Sequence, residues 1–212
     1  MNKTIEVPFG RWIEEGFSLY KANFKPLVLA AFIMIVLSSL TMFILLPPLT
    51  AGLILIILRI MDGETPPPGF GAVFNGFSFF LNALLFMLVW SGVCLLGMAV
   101  VGWFPVIGHL AAVFFSYALQ ALLVFGMFLI VDRKMGFWEA STVSMDTVKP
   151  GFWPFLGLTI VASVIGGIGA IAFGVGIALT LPIGFCILAA AYRDIFKKPD
   201  SAPEEPMLEI PR

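Results

Sequence analysis

Three long stretches of this 212-residue chain contain no Asp, Glu, Lys or Arg: residues 26 to 58, 65 to 131 and 150 to 192. Charge is confined to the joints between them and to the two ends. A helix needs about 20 apolar residues to cross the roughly 30 Å of a bilayer's hydrocarbon, so each stretch is too long for one crossing and reads as a helical hairpin. Water is excluded as the main solvent. With 60% hydrophobic and 12% charged residues and a mean hydropathy of +1.03, too few polar side chains remain to cover an outside in water. The predicted fold class is all-α, a polytopic transmembrane helical bundle forming a single domain over residues 1 to 198.

Proline and glycine mark the turns. Pro47 and Pro48 interrupt the first hairpin, residues 102 to 105 the second and the glycine-rich run 166 to 176 the third, with Pro182 a further candidate break in the last helix. The spans then fall near 26–46, 48–62, 77–98, 106–131, 153–172 and 176–194. The first hairpin is short for two full crossings, so a re-entrant form stays open beside a spanning one.

Orientation follows from the basic residues. With a cytoplasmic N-terminus and six spans, all twelve Lys and Arg lie on the cytoplasmic side, which is the positive-inside pattern. Both termini are then cytoplasmic, and the first apolar run, starting after residue 25, does not read as a cleaved signal peptide. Trp103 is expected to anchor the outer interface, and Trp12, Tyr20, Trp138, Trp153 and Tyr192 the inner one.

The hairpins look like copies of one unit, about 6–64, 66–135 and 136–198. Lys21, Phe24 and Pro26 recur at the same spacing as Lys149, Phe152 and Pro154, and Pro48 precedes Arg59 by eleven residues as Pro182 precedes Arg193. Each unit opens with an amphipathic segment (6–23, 68–76 and 137–149). In the first, Phe9, Trp12, Ile13, Phe17 and Tyr20 fall at helical spacing opposite Arg11, Glu14 and Glu15, the pattern of a helix lying in a cytoplasmic interface. The tail 199–212, with four prolines and three glutamates, is expected to be disordered.

Few residues offer chemistry. The spans hold no Asp, Glu, Lys or Arg except near their cytoplasmic ends, so the usual machinery of proton relays and ion coupling is missing. His109 reads as a boundary residue, and Cys94 and Cys186, each in an apolar run, as packing residues. Asn82, Tyr117 and Gln120, with Ser91, Ser116, Ser163 and Thr180, are neutral polar groups that either hydrogen-bond between helices or line a substrate groove. The run Gly166, Ala170, Gly174 and Ala178 reads as a ridge for close helix contact. Asp62, Glu64, Asp132, Glu139 and Asp146 are expected to cap helices and balance nearby cations. No phosphate-binding, nucleophile-elbow, zinc or dinucleotide motif is present, so neither an enzyme nor a cofactor is expected.

One resemblance accompanies these readings. Gly136-Phe137-Trp138-Glu139-Ala140, Lys149, Phe152-Trp153, Leu181-Pro182 and Ala191-Tyr192-Arg193-Asp194 resemble uncharacterised bacterial inner-membrane proteins of the YciC type and the membrane domain of some glycerophosphodiester phosphodiesterases. Gly16-Phe17, Phe24-Lys25-Pro26 and residues 52–68 are similar too. The resemblance implies an architecture and a link to the envelope and its lipids, and it carries no catalytic residue.

The expected function is a non-enzymatic integral protein of the bacterial inner membrane that interacts with lipid or serves as a subunit of an envelope complex. Lys21, Lys25, Lys149 and Arg193 are the candidate headgroup contacts. The alternative is a transporter or exporter of a small amphipathic or hydrophobic molecule. Membrane lipids are the expected partners, a protein partner or a second copy stays open, and the net charge of -1 offers no surface for nucleic acid.

Overall fold

The computed structural model describes residues 8–101, 107–171 and 175–196. Trp103, the break at 102–105, Gly174 and the tail 199–212 lie outside the described residues, as do Lys3, Lys197 and Lys198. Among the described residues there is no strand, and the chain is an all-α bundle. The helices are α1 (Phe9–Ala22), α2 (Phe24–Leu40), α3 (Leu46–Met61), α4 (Phe80–Val101), α5 (Ile107–Leu122), α6 (Gly126–Arg133), α7 (Phe137–Val148), α8 (Phe152–Gly167) and α9 (Val175–Ile195). A 3-10 segment, Phe70–Phe79, leads into α4, and shorter ones, Lys149–Gly151 and Ile168–Ile171, flank α8.

Four apolar helical stretches are long enough to cross a membrane: Phe70–Val101, Gly108–Arg133, Phe137–Ala170 and Gly176–Ile195. The chain is therefore a multi-pass membrane protein. A fifth crossing depends on α1 and α2, which meet at 90°. Helix α3 has 16 residues, about 24 Å of rise, which is short of a full crossing.

Proline sets the helix starts. Pro47 and Pro48 occupy the first turn of α3, where a missing N–H costs nothing, so α2 stops earlier, at Leu40. The turn between them is held by Thr41, whose hydroxyl donates to the Leu37 carbonyl (2.8 Å) and accepts from the Leu45 N–H (3.4 Å). Pro26 and Pro154 each sit third in their helices, α2 and α8. The same spacing has different outcomes: the chain bends 90° into α2, whereas α7 runs on into α8 as one 34-residue helix, Phe137–Ala170.

Pro182 does not break its helix. It lies inside α9, which continues from Val175 to Ile195. The proline removes one backbone hydrogen bond, that to the Ala178 carbonyl, and membrane helices tolerate such a loss. The Tyr20 hydroxyl donates to the Leu179 carbonyl (2.7 Å), and the Thr180 hydroxyl donates to the Gly166 carbonyl of α8 (2.7 Å). Tyr20→Phe is expected to cost about 1 kcal/mol in thermal unfolding.

The first and last helices are closely joined. Helix α1 runs antiparallel along α9: Trp12 meets Asp194, Gly16 lies against the backbone of Ile187, and Tyr20 reaches Leu179. Trp12, Tyr20 and Tyr192, expected at the inner interface, instead face protein and are buried; Trp138 and Trp153 are the exposed ones. The apolar stripe of α1 thus finds α9 rather than a bare lipid surface. Rings close the core around it: Trp12 stacks on Phe155 (6.3 Å), Phe125 meets Phe155 edge-on (5.6 Å), and Phe128 stacks on Tyr192 (5.3 Å).

Two further joints hold the middle. Gly52 of α3 lies against the backbone of Val73, and Gly76 against that of Pro48, so the 3-10 segment touches α3 main chain to main chain. Between α5 and α6 the helix is interrupted, and Ser144 of α7 enters the gap. Its hydroxyl donates to the Leu122 carbonyl (2.8 Å) and accepts from the Phe125 N–H (3.2 Å).

Candidate functional site

The ends of α3, α6 and α9 carry Asp62, Asp132, Arg193 and Asp194, and packing brings them together. Arg193 donates through Nη2 to Asp62 (2.9 Å) and through Nη1 to Asp132 (2.9 Å). Asp132 also accepts from the Tyr192 hydroxyl (2.8 Å). On the adjoining face, Asp194 accepts from Trp12 Nε1 (3.0 Å) and from the Arg11 guanidinium. Arg133 lies over the Phe196 ring (5.3 Å), and Arg59 faces Glu64 (3.6 Å).

One guanidinium therefore joins the C-terminal ends of α3, α6 and α9. The Arg193 side chain is 12% exposed, so its two ion pairs are partly desolvated and hold their geometry better than surface pairs do. Its Nε is buried without a partner. A cavity of about 330 Å³ adjoins the cluster, with Arg59, Asn75, Ser78 and Lys134 in its walls. Both signs of charge line it. No group of His, Cys, Asp and Glu that could hold a metal ion occurs among the described residues.

The four expected headgroup contacts do not form one patch. Lys21, Lys25 and Lys149 are exposed, and Lys149 pairs with Asp146 (2.9 Å). Lys21 sits ten residues beyond Arg11, about 15 Å along α1 from the charged end. Arg193 is set apart from them, because its charge is already shared between Asp62 and Asp132.

Asn82 and Tyr117 are half-buried and Gln120 is exposed; no hydrogen bond joins Asn82 to Gln120. Gln120 lines a groove of about 360 Å³ with Ser91, Cys94, Thr159 and Ser163, among α4, α5, α8 and α9. Cys94 lies 3.5 Å from the Ser116 hydroxyl, and Cys186 is buried. His109 is exposed near the start of α5. The expected ridge of small residues is not one helix face. Gly166 of α8 instead approaches Leu181 and Gly184 of α9, and Gly184 lies against the Ala162 carbonyl.

Sequence reading missed the cluster as a unit. Asp62, Asp132 and Asp194 each follow closely on the last apolar turn of a hairpin, and a common closing position is the signal that would have grouped them. Arg59 and Arg193 share a register after proline, yet take different partners. No family model, no curated protein and no solved structure matches the chain.

Proposed function

We propose that this chain is a non-enzymatic protein of the bacterial inner membrane, with both termini cytoplasmic, that binds anionic lipid at its surface or serves as a subunit of an envelope complex. It belongs in this reading beside the YciC-type proteins, as three two-helix units in tandem. The observation that carries the proposal is the placement of exposed groups: Arg193 is shared between Asp62 and Asp132, while Lys149, in a wholly exposed pair with Asp146, lies in the same stretch as two exposed tryptophans, Trp138 and Trp153. Tryptophan beside lysine is the usual dress of a membrane–water boundary. The matched spacing of Lys21, Phe24 and Pro26 with Lys149, Phe152 and Pro154 supports the tandem reading.

Native mass spectrometry of the purified protein tests the lipid part. Anionic phospholipid is expected to stay bound, and Lys21→Gln, Lys25→Gln and Lys149→Gln together are expected to reduce it, at about 1 kcal/mol per lysine near an anionic surface. Arg193 is left unchanged because its loss would act through the fold. Retention that is nil in the parent protein, or equal in the triple variant, removes the lipid reading and leaves the complex subunit.

One observation favours a second reading. The groove holding Gln120 is large enough for a small amphipathic molecule, and it places an amide and three hydroxyls along an otherwise apolar wall. A transporter or exporter is the function this groove supports. Asn82 and Tyr117 are not in its walls.

A further inference from the structure

The turn after α2 is unusual for a loop. Met42 and Phe43 both take the left-handed conformation (φ 50° and 67°), which costs non-glycine residues energy, and they are 85% and 64% exposed, flanked by exposed Leu40 and Ile44. Its hydroxyls are bonded to the preceding helical turn: Ser39 donates to the Ile35 carbonyl (2.8 Å) and Thr41 to that of Leu37 (2.8 Å). The exposed surface from Leu40 to Ile44 is made by apolar side chains, Leu40, Met42, Phe43 and Ile44. In a membrane protein such a surface faces hydrocarbon.

Behind the tip lies a cavity of about 500 Å³ between α2 and α9, within the size range of ligand sites. Met34, Ile35, Phe43, Leu46 and Leu181 give it apolar walls. Phe32 and Val36, also in the wall, are exposed at its rim, so it is reached from the lipid phase. The wall also holds two serines: Ser39, which bonds its own helix, and Ser38. It lines the cavity, is 1% exposed, and its Oγ has no hydrogen-bond partner, although serine hydroxyls in helices normally bond to the preceding turn, as Ser39 does. A buried hydroxyl left unpaired is costly, and one acceptor supplied by a ligand would relieve it.

We propose that this cavity binds a single linear acyl chain, with the carbonyl oxygen of the chain accepting from Ser38. The chain's methylenes fill the apolar walls, and the one oxygen sets its depth. This deepens the lipid reading above and rests on it, since it requires the tip to lie in hydrocarbon.

The test uses the full chain in phospholipid nanodiscs and three photoactivatable probes carrying the same diazirine-tagged chain: palmitate, a phosphatidylcholine, and hexadecane as the oxygen-free control. Expected crosslinks map to residues 32–46 and 177–181. Which of the first two probes labels more strongly assigns the source as free acid or lipid ester. Ser38→Ala is expected to lower carbonyl-probe labelling about five-fold, the worth of one ordinary hydrogen bond, and to leave hexadecane unchanged. Ala178→Phe fills the cavity and is expected to abolish labelling there; Val36→Trp at the rim serves if that protein fails to fold. Crosslinks spread evenly over lipid-facing residues such as Leu81, Leu95 and Leu110, unmoved by these variants, would overturn the acyl site while sparing the membrane reading. No crosslink on any helix overturns both.

Discussion

Arg193→Met is expected to destabilise the detergent-purified protein by about 3 kcal/mol, because removing one partner of a buried ion pair leaves the other uncompensated. Here two carboxylates are left. Asp62 and Asp132 are 29% and 20% exposed, which moderates the cost relative to a fully buried pair. Without the guanidinium they become neighbouring anions on the ends of α3 and α6, and Asp132 keeps only the Tyr192 hydroxyl as its hydrogen-bond donor from α9. Thermal unfolding followed by intrinsic fluorescence measures the loss. Adding Asp132→Asn to Arg193→Met is expected to recover part of it, since a neutral amide beside Tyr192 costs less than an orphaned carboxylate. Strictly additive losses would mean the pair is not coupled and that the cluster contributes little.

The second large effect concerns backbone contact. A Cβ at Gly76 would stand 2.0 Å from the Pro48 carbonyl oxygen, and one at Gly52 would stand 1.8 Å from that of Val73. Neither neighbour is the movable end of a side chain, so Gly76→Ala or Gly52→Ala has to push the 3-10 segment off α3. The expected cost is about 3 kcal/mol or more, at the upper end of overpacking effects. Gly71→Ala and Gly92→Ala are the controls, because nothing lies within 4 Å of a Cβ at either site. Melting temperature and the monodisperse fraction in size exclusion are the readouts. Equal behaviour of the Gly76 and Gly71 variants would show that the segment is not held against α3 in solution.

Much of the fold was legible because lipid and proline impose simple constraints. Charge-free runs gave the apolar helices, and Pro47 with Pro48 gave the start of α3 within two residues. Pro182 misled, since a proline inside a membrane helix removes one backbone hydrogen bond without having to end the helix, and α9 runs through it from Val175 to Ile195. The aromatic residues were read by a statistical preference for the interface, which tells a lipid-facing ring from a buried one only when packing is known; Trp138 and Trp153 followed it, and Trp12, Tyr20 and Tyr192 did not. Gly16, Gly52 and Gly76 carry no period that announces a backbone approach. The ionic cluster was hidden for a similar reason: each member looked like a local cap, and only the convergence of the ends of α3, α6 and α9 turns them into one network.

The union of α1 with α9 has a consequence for synthesis. Trp12 and its partner Asp194 are 182 residues apart, so α1 emerges long before the helix that covers it exists. At about 5–20 residues per second, the wait is roughly ten to forty seconds. During that interval the apolar stripe of Phe9, Ile13 and Phe17 has the bilayer surface as its available cover, and its amphipathic pattern suits that berth. The nascent chain thus parks its first helix at the interface and withdraws it into the bundle when the last one arrives, which makes α9 the clasp that completes biogenesis.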